Sequence, residues 1–171
     1  TFKLIEYTED GSKVVSEKEI TTNTKGELDF SDITVGKWYS IEEVKAPQGY
    51  KLPEVRTRLN FRVESIPAQQ SFQISYWTYN VDKVNENNTT PEISNVKTLA
   101  VENTVQDGIS FDAVDTDSNG KNDTMILEFD FVNNTWKKLP ATGSNFGLIA
   151  GVAVVAIVIG STVFYVKRRE A

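Results

Sequence analysis

The sequence predicts an all-β sandwich, then an extended linker, then one C-terminal transmembrane helix. Three observations carry this. Apolar residues recur at every second position over short segments, the period of a half-buried strand, and no segment of the body shows a helical repeat of useful length. Turn residues bound those segments at regular intervals, as in a sandwich. Residues 147–166 carry no charge, and as a helix a run of about 20 such residues crosses a bilayer core of about 30 Å.

The elements follow in order. Phe2–Tyr7 reads as the first strand, closed by the turn Glu9-Asp10-Gly11-Ser12. Lys13–Ile20 is the second, closed by Asn23-Thr24-Lys25-Gly26. Glu27–Phe30 and Trp38–Val44 come next, joined across Val35-Gly36. Arg56–Glu64, Ser71–Tyr79, Val96–Asn103, Ile109–Val114 and Met125–Asn133 complete the body. The polar stretch Asn85-Glu86-Asn87-Asn88-Thr89-Thr90-Pro91 reads as a loop. Residues 1–136 therefore form the sandwich, 137–146 the linker, 147–166 the membrane span and 167–171 a basic tail.

Composition narrows the function. The chain has no His and no Cys, which removes thiol chemistry, disulfides, Cys/His zinc sites and a His general base. Its net charge of −6 argues against nucleic acid, whose phosphates demand basic patches. No enzyme and no cofactor are expected of these residues. Lys167, Arg168 and Arg169 follow the uncharged run at once and hold the C-terminus in the cytoplasm, so the acidic body lies outside. Gly147 and Gly151 make a GxxxG pair, read as the small residues common in membrane helices rather than as a dimer contact. The chain begins at Thr1 rather than Met, so an export signal and further upstream segments are expected of a longer precursor.

Just before the span stands Leu139-Pro140-Ala141-Thr142-Gly143. Pentapeptide, span and positive tail, in that order, resemble the LPxTG sorting signal of Gram-positive surface proteins. Pro140 favours an extended segment poor in hydrogen bonds, which an enzyme groove can take up. The resemblance implies that a sortase thiol attacks the Thr142–Gly143 bond and passes the acyl group to an amine on a cell-wall peptide or a pilin lysine. The chain would then be substrate, not catalyst. It would span the plasma membrane once as a precursor and end fixed to the peptidoglycan.

A second resemblance runs through Trp38-Tyr39-Ser40-Ile41-Glu42-Glu43-Val44-Lys45-Ala46-Pro47-Gln48-Gly49-Tyr50. It is similar to the Y-x-L-x-E-x-x-A-P-x-G-Y signature of Cna-B-type domains, SpaA-like and prealbumin-like, of Gram-positive adhesins and pilins. Thr1-Phe2-Lys3-Leu4, Gly26-Glu27-Leu28-Asp29-Phe30 and Val35-Gly36-Lys37-Trp38-Tyr39 fit the same pattern, which covers residues 1–62. Residues 63–136 are an elaborated part. The resemblance implies an Ig-like, prealbumin-like β-sandwich serving as a stalk module that supports adhesion. No tyrosine-proline-lysine pilin motif is present in the chain.

Strand alternation puts Tyr39, Ile41 and Glu43 on one face and Trp38, Ser40 and Glu42 on the other. If Tyr39 and Ile41 face the core, so does Glu43, and a buried carboxylate is costly unless paired or protonated. The competing reading is a strand-end carboxylate leaning into solvent. In the resembled family the matching Glu promotes a spontaneous isopeptide bond between a Lys and an Asn. Its Lys lies on a strand before A-T-F-x-L, which these residues do not include. The acceptor would be Asn133, which shares parity with Met125, Leu127, Phe129 and Phe131, or else Asn103, which follows Leu99 and Val101 at the same parity.

Two other features stay open. Asp115, Asp117, Asn119 and Asp123 alternate around Gly120 in a D-x-D-x-N-G-x-x-D loop, a candidate calcium site that lacks the terminal Glu and flanking helices of an EF-hand. The bland reading is the hairpin turn Ser118-Asn119-Gly120. Two other functions compete with the stalk. One is a ligand-binding adhesin that uses residues 65–107, with Tyr76, Trp77 and Tyr79 on a host matrix ligand. The other is the anchor of a wall-bound enzyme whose catalytic domain lies elsewhere. For the aromatics, core packing is the competing reading, and exposure of Trp77 with Tyr79 decides it.

Overall fold

Phe2 and Leu4 alternate with Ile5 and Tyr7, and that alternation builds a sheet with two apolar faces. The computed structural model describes residues 1–24, 28–29, 33–66, 71–116, 118–120, 122, 124–131, 134–135 and 151–158. In chain order the strands are β1 Phe2–Tyr7, β2 Val14–Ile20, β3 Leu28–Asp29, β4 Trp38–Glu43, β5 Tyr50–Lys51 and β6 Arg56–Ile66. Then come β7 Ser71–Val81, β8 Lys97–Leu99, β9 Ile109–Val114, β10 Thr124–Phe131, β11 Asn134–Thr135 and β12 Gly151–Val158. Six strands form one sheet in the order β2-β1-β4-β6-β7-β8, and four form a second in the order β3-β12-β10-β9. The small pair β11-β5 joins Asn134 to Lys51 and Thr135 to Tyr50.

The main core lies between the two larger sheets. From the first come Phe2, Leu4, Tyr39, Ile41, Leu59, Phe61, Val63, Phe72, Ile74 and Tyr76. From the second come Ile109, Phe111, Met125, Leu127, Phe129 and Phe131. Tyr39 keeps its hydroxyl inside by accepting a 2.8 Å hydrogen bond from the Thr34 amide. Every predicted strand of the body is present. The largest change is at the ends, where β7 runs on to Val81 and Val96–Asn103 shrinks to the three residues of β8.

The other face of the six-stranded sheet is also covered, which alternation alone does not predict. Residues 82–96 cross it as a strap. Beneath them Ile5, Tyr7, Trp38 and Trp77 form a second cluster, with the two indoles edge-to-face at 5.0 Å. The strap is latched through two consecutive carbonyls. Arg58 donates to the Asn88 carbonyl and Tyr7 donates its hydroxyl proton to the Thr89 carbonyl. That proton spent, Ser40 is the donor in the 2.6 Å bond between its hydroxyl and Tyr7. Gly11, at φ 72°, lets the β1–β2 turn come down on this cluster. A Cβ there would stand 3.2 Å from Ile93 Cδ1 and 3.3 Å from the Trp38 ring.

The predicted transmembrane helix is not shown by the described residues. Gly151–Val158 is a strand, antiparallel to β10 and parallel to β3, not a helix. No helix among the described residues is long and apolar enough to cross a membrane. The physical reason is composition: Val152, Val154, Val155, Ile157 and Val158 are β-branched, and such side chains favour strands where a sheet offers pairing. Residues 147–150 and 159–171 lie outside the described residues.

Candidate functional site

Glu43 closes β4 on the inward side. It is 6% exposed, on the face of Tyr39 and Ile41, and its register partner on β1 is Phe2. Solvent is therefore not its environment. The Phe2 ring meets Phe131 edge-to-face at 4.8 Å, and Phe131 in turn meets Phe129 at 4.6 Å. The end of β4 and the end of β10 thus converge at one pole of the sandwich, around an aromatic plug. Beyond Glu43 the chain turns through Pro47, whose carbonyl accepts from the Tyr50 amide at 3.1 Å, and Gly49 takes φ 89° there.

The acceptor candidates are placed differently. Met125, Leu127, Phe129 and Phe131 all point inward, as their parity predicts, and Asn133 itself lies outside the described residues. Asn103 is exposed, at φ 56°, in a turn where its amide donates to the Phe111 carbonyl at 2.8 Å. Its carboxamide is thus in water, not in the apolar setting that an amide-forming reaction needs. Leu139, Pro140, Ala141, Thr142 and Gly143 lie outside the described residues.

The acidic loop uses its first carboxylate on itself. Asp115 accepts from the Asn119 amide at 3.1 Å and from the Gly120 amide at 2.7 Å. Ser118 and Gly120 adopt φ 59° and 82°, as a tight turn requires. Asp117 and Asp123 lie outside the described residues. Among the described residues no group of three acidic side chains is arranged to hold a metal.

Two of the three aromatic candidates, Tyr76 and Trp77, are core. Tyr76 is 1% and Trp77 7% exposed, on opposite faces of β7, and Tyr79 is half-buried under the strap. Its hydroxyl accepts from the Asn85 carboxamide at 3.0 Å, and the Arg58 guanidinium sits 5.9 Å from its ring centre. An open groove of about 790 Å³ does run along Tyr76, Trp77 and Tyr79, with Asn80, Glu92 and Lys97 beside them. Sequence reading missed the ion pair of Glu42 with Arg58, Oε2 to Nε 3.0 Å, at 3% and 1% exposure. Parity places Glu42 away from the main core, and the strap buries it with Arg58.

Residues 1–75 match the SpaA family, described as a prealbumin-like fold domain, and residues 132–171 match the Gram-positive anchor family, described as an LPXTG cell wall anchor motif. The "Trypsin-resistant surface T6 protein" of Streptococcus pyogenes serotype M6 is 27% identical over 172 residues. That alignment covers 89% of this chain and 31% of the relative, so the chain spans about a third of the length of the curated protein it matches. No solved structure matches.

Proposed function

We propose that this chain, which carries a SpaA-type prealbumin-like domain and an LPXTG cell wall anchor motif, is the wall-proximal stalk of a sortase-anchored surface protein or pilin subunit. The observation that carries the reading is the order of its last 33 residues: Leu-Pro-Ala-Thr-Gly, an uncharged run, and Lys167-Arg168-Arg169. The run enters the plasma membrane as a helix during export, with the basic tail in the cytoplasm. Sortase then cuts between Thr142 and Gly143 and joins the Thr142 carbonyl to an amine of a cell-wall peptide or a pilin lysine. The sandwich carries mechanical load between the wall and more distal parts. Mass spectrometry of wall-released protein tests this: the chain should end at Thr142 in amide linkage. Intact protein retaining residues 147–166 in the wall fraction would sink the reading.

A crosslink at the aromatic pole fits the same role. Glu43 is buried beside Phe2, and such a site favours a neutral amine and a protonated acid. The protonated acid would hydrogen-bond a carboxamide oxygen, the amine would attack its carbon, and ammonia would leave. A bond of this kind restrains the unfolded chain as a disulfide does, by about 4–5 kcal/mol for a loop of about 100 residues. The prediction concerns a longer form of the chain that includes a lysine-bearing strand before Thr1. It should weigh one ammonia less than its sequence, and Glu43→Ala or Asn133→Ala should restore the full mass. Asn103→Ala should not. A wild-type protein of full mass would end the idea.

The acidic loop is read as an ordinary turn, because both Asp115 oxygens already serve loop amides. Millimolar calcium should therefore leave the melting temperature unchanged. A calcium-dependent rise that Asp115→Ala removes would instead make the loop a cation site of extracellular affinity, with Kd about 10⁻⁴–10⁻³ M.

A further inference from the structure

The two edges of β7 are unequally used. On one edge β6 pairs with it at every position from Arg56↔Val81 to Ile66↔Ser71. On the other, β8 pairs with it only at Ile74↔Leu99, Ser75↔Thr98 and Tyr76↔Lys97. From Trp77 to Val81 this second edge has no strand partner among the described residues. The cause is local. Antiparallel pairing continued back from Lys97 would set Val96, Asn95 and Ser94 against Trp77, Thr78 and Tyr79. Asn95 instead takes φ 53°, a left-handed conformation outside the range of a strand. Two residues earlier, Ile93 reaches the β1–β2 turn, where a Cβ on Gly11 would stand 3.2 Å from its Cδ1. The chain therefore comes to β8 from across the sheet face and leaves a wedge beside β7.

That wedge is the open groove of about 790 Å³, within the range of about 300–1,000 Å³ usual for a ligand cleft. Consecutive β7 residues, from Tyr76 to Asn80, line one wall, and Glu92 and Lys97 stand on the other. Side chains of a strand alternate between faces, so a wall made by a face is lined by every second residue. Lining by consecutive residues makes the strand's edge the wall, with its backbone N–H and C=O groups. Tyr76 and Trp77 bury their rings on opposite faces, which leaves main chain to meet the groove. Charge narrows the occupant. Lys97 is paired with Asp107, whereas Glu92 is exposed and has no ion-pair partner among the described residues. We propose that this edge is a strand-addition site for an extended, basic segment of a partner protein. The segment's main chain pairs with Trp77–Tyr79 beyond the end of β8, and a Lys or Arg side chain meets Glu92. Asn80 marks the end of the seat, since its carbonyl already accepts from the Asn85 carboxamide at 3.1 Å. The site adds recognition to the stalk and needs neither the membrane nor the wall.

The test uses the whole chain and a synthetic probe, an acetylated and amidated hexapeptide of alternating Lys and Thr. A generic probe serves because main-chain bonds supply the affinity in strand addition. In titration calorimetry it should bind at least tenfold more tightly than the same peptide N-methylated throughout, which cannot donate to β7. Replacing its Lys by Glu should also weaken it. Glu92→Gln should weaken the Lys peptide about two- to fivefold at low salt, the size of an exposed ion pair, and less at high salt. In wild-type protein, the amides of Trp77, Thr78 and Tyr79 that face away from β6 should exchange fast alone and at least tenfold more slowly with the peptide. No binding at millimolar peptide would overturn the site. Equal binding of the N-methylated peptide, or unchanged exchange along β7 with peptide bound, would overturn strand addition. Equal binding of the Glu peptide would overturn the basic preference. A dimer of the chain alone, with those amides already protected, would give the seat to a second copy and overturn the partner reading.

Discussion

Arg58→Ala should cost the folded domain about 3–5 kcal/mol, the range for removing one partner of a buried ion pair and leaving the other charged and dry. Arg58 and Glu42 are almost wholly excluded from water, and their Nε to Oε2 distance is 3.0 Å. The loss has two parts. Glu42 is left without its guanidinium, and the Asn88 carbonyl loses a donor where the strap is latched. A domain holding about 5–15 kcal/mol in total would move far down in denaturant midpoint. Urea unfolding checks this, and a loss under about 1 kcal/mol would refute the burial argument. Glu42→Leu combined with Arg58→Leu should cost less than Arg58→Ala alone, because apolar residues of similar volume remove the stranded charge. The Asn88 carbonyl still goes unpaired in the double variant, a residual penalty of about 1–3 kcal/mol. Trypsin cleavage after exposed Lys83, in the strap, should accelerate in both variants if the latch is what holds residues 82–96 down.

Which parts of this were legible in the sequence follows from where the determining forces lie. Glu43 could be placed inward because β4 alternation is local and Tyr39 and Ile41 fix its phase. The burial of Trp38, Ser40, Glu42 and Arg58 could not, since it depends on residues 82–96 returning from far along the chain. Those residues are polar and look like a plain loop, and they hold on by backbone carbonyls, which no side-chain pattern records. The strands β5 and β11 have two residues each, and their pairing comes from chain crossing, not from periodicity. Gly151–Val158 shows another limit. An apolar run without alternation fits a membrane helix and a fully buried strand equally well, and only the surroundings decide. The acidic loop was ambiguous for the opposite reason: alternating carboxylates serve a cation or their own turn amides, and Asp115 serves amides.

Leu139→Ala and Thr142→Ala should each lower wall anchoring by at least about a hundredfold while leaving the sandwich folded. A processing site that hydrogen-bonds a substrate hydroxyl rejects an analogue lacking it by about 10⁴–10⁵, because its own polar groups are left unpaired, whereas loss of apolar side-chain atoms costs about 10–200-fold. Thr142→Ala removes such a hydroxyl at the acyl-donating residue, so its defect should be the larger of the two. Leu139→Ala removes only apolar contact three residues earlier. Both changes lie beyond Phe131, the last core residue on β10, so urea unfolding of the body should match wild type. The measurement is a fractionation of cells into membrane and wall, with the mass of each product. Precursor retaining residues 147–166 should accumulate in the membrane fraction for both variants. Wall-linked material at wild-type level from Thr142→Ala would show that cleavage does not occur at Thr142–Gly143. Anchoring lost together with a lowered unfolding midpoint would place the defect in the sandwich and not in the processing step.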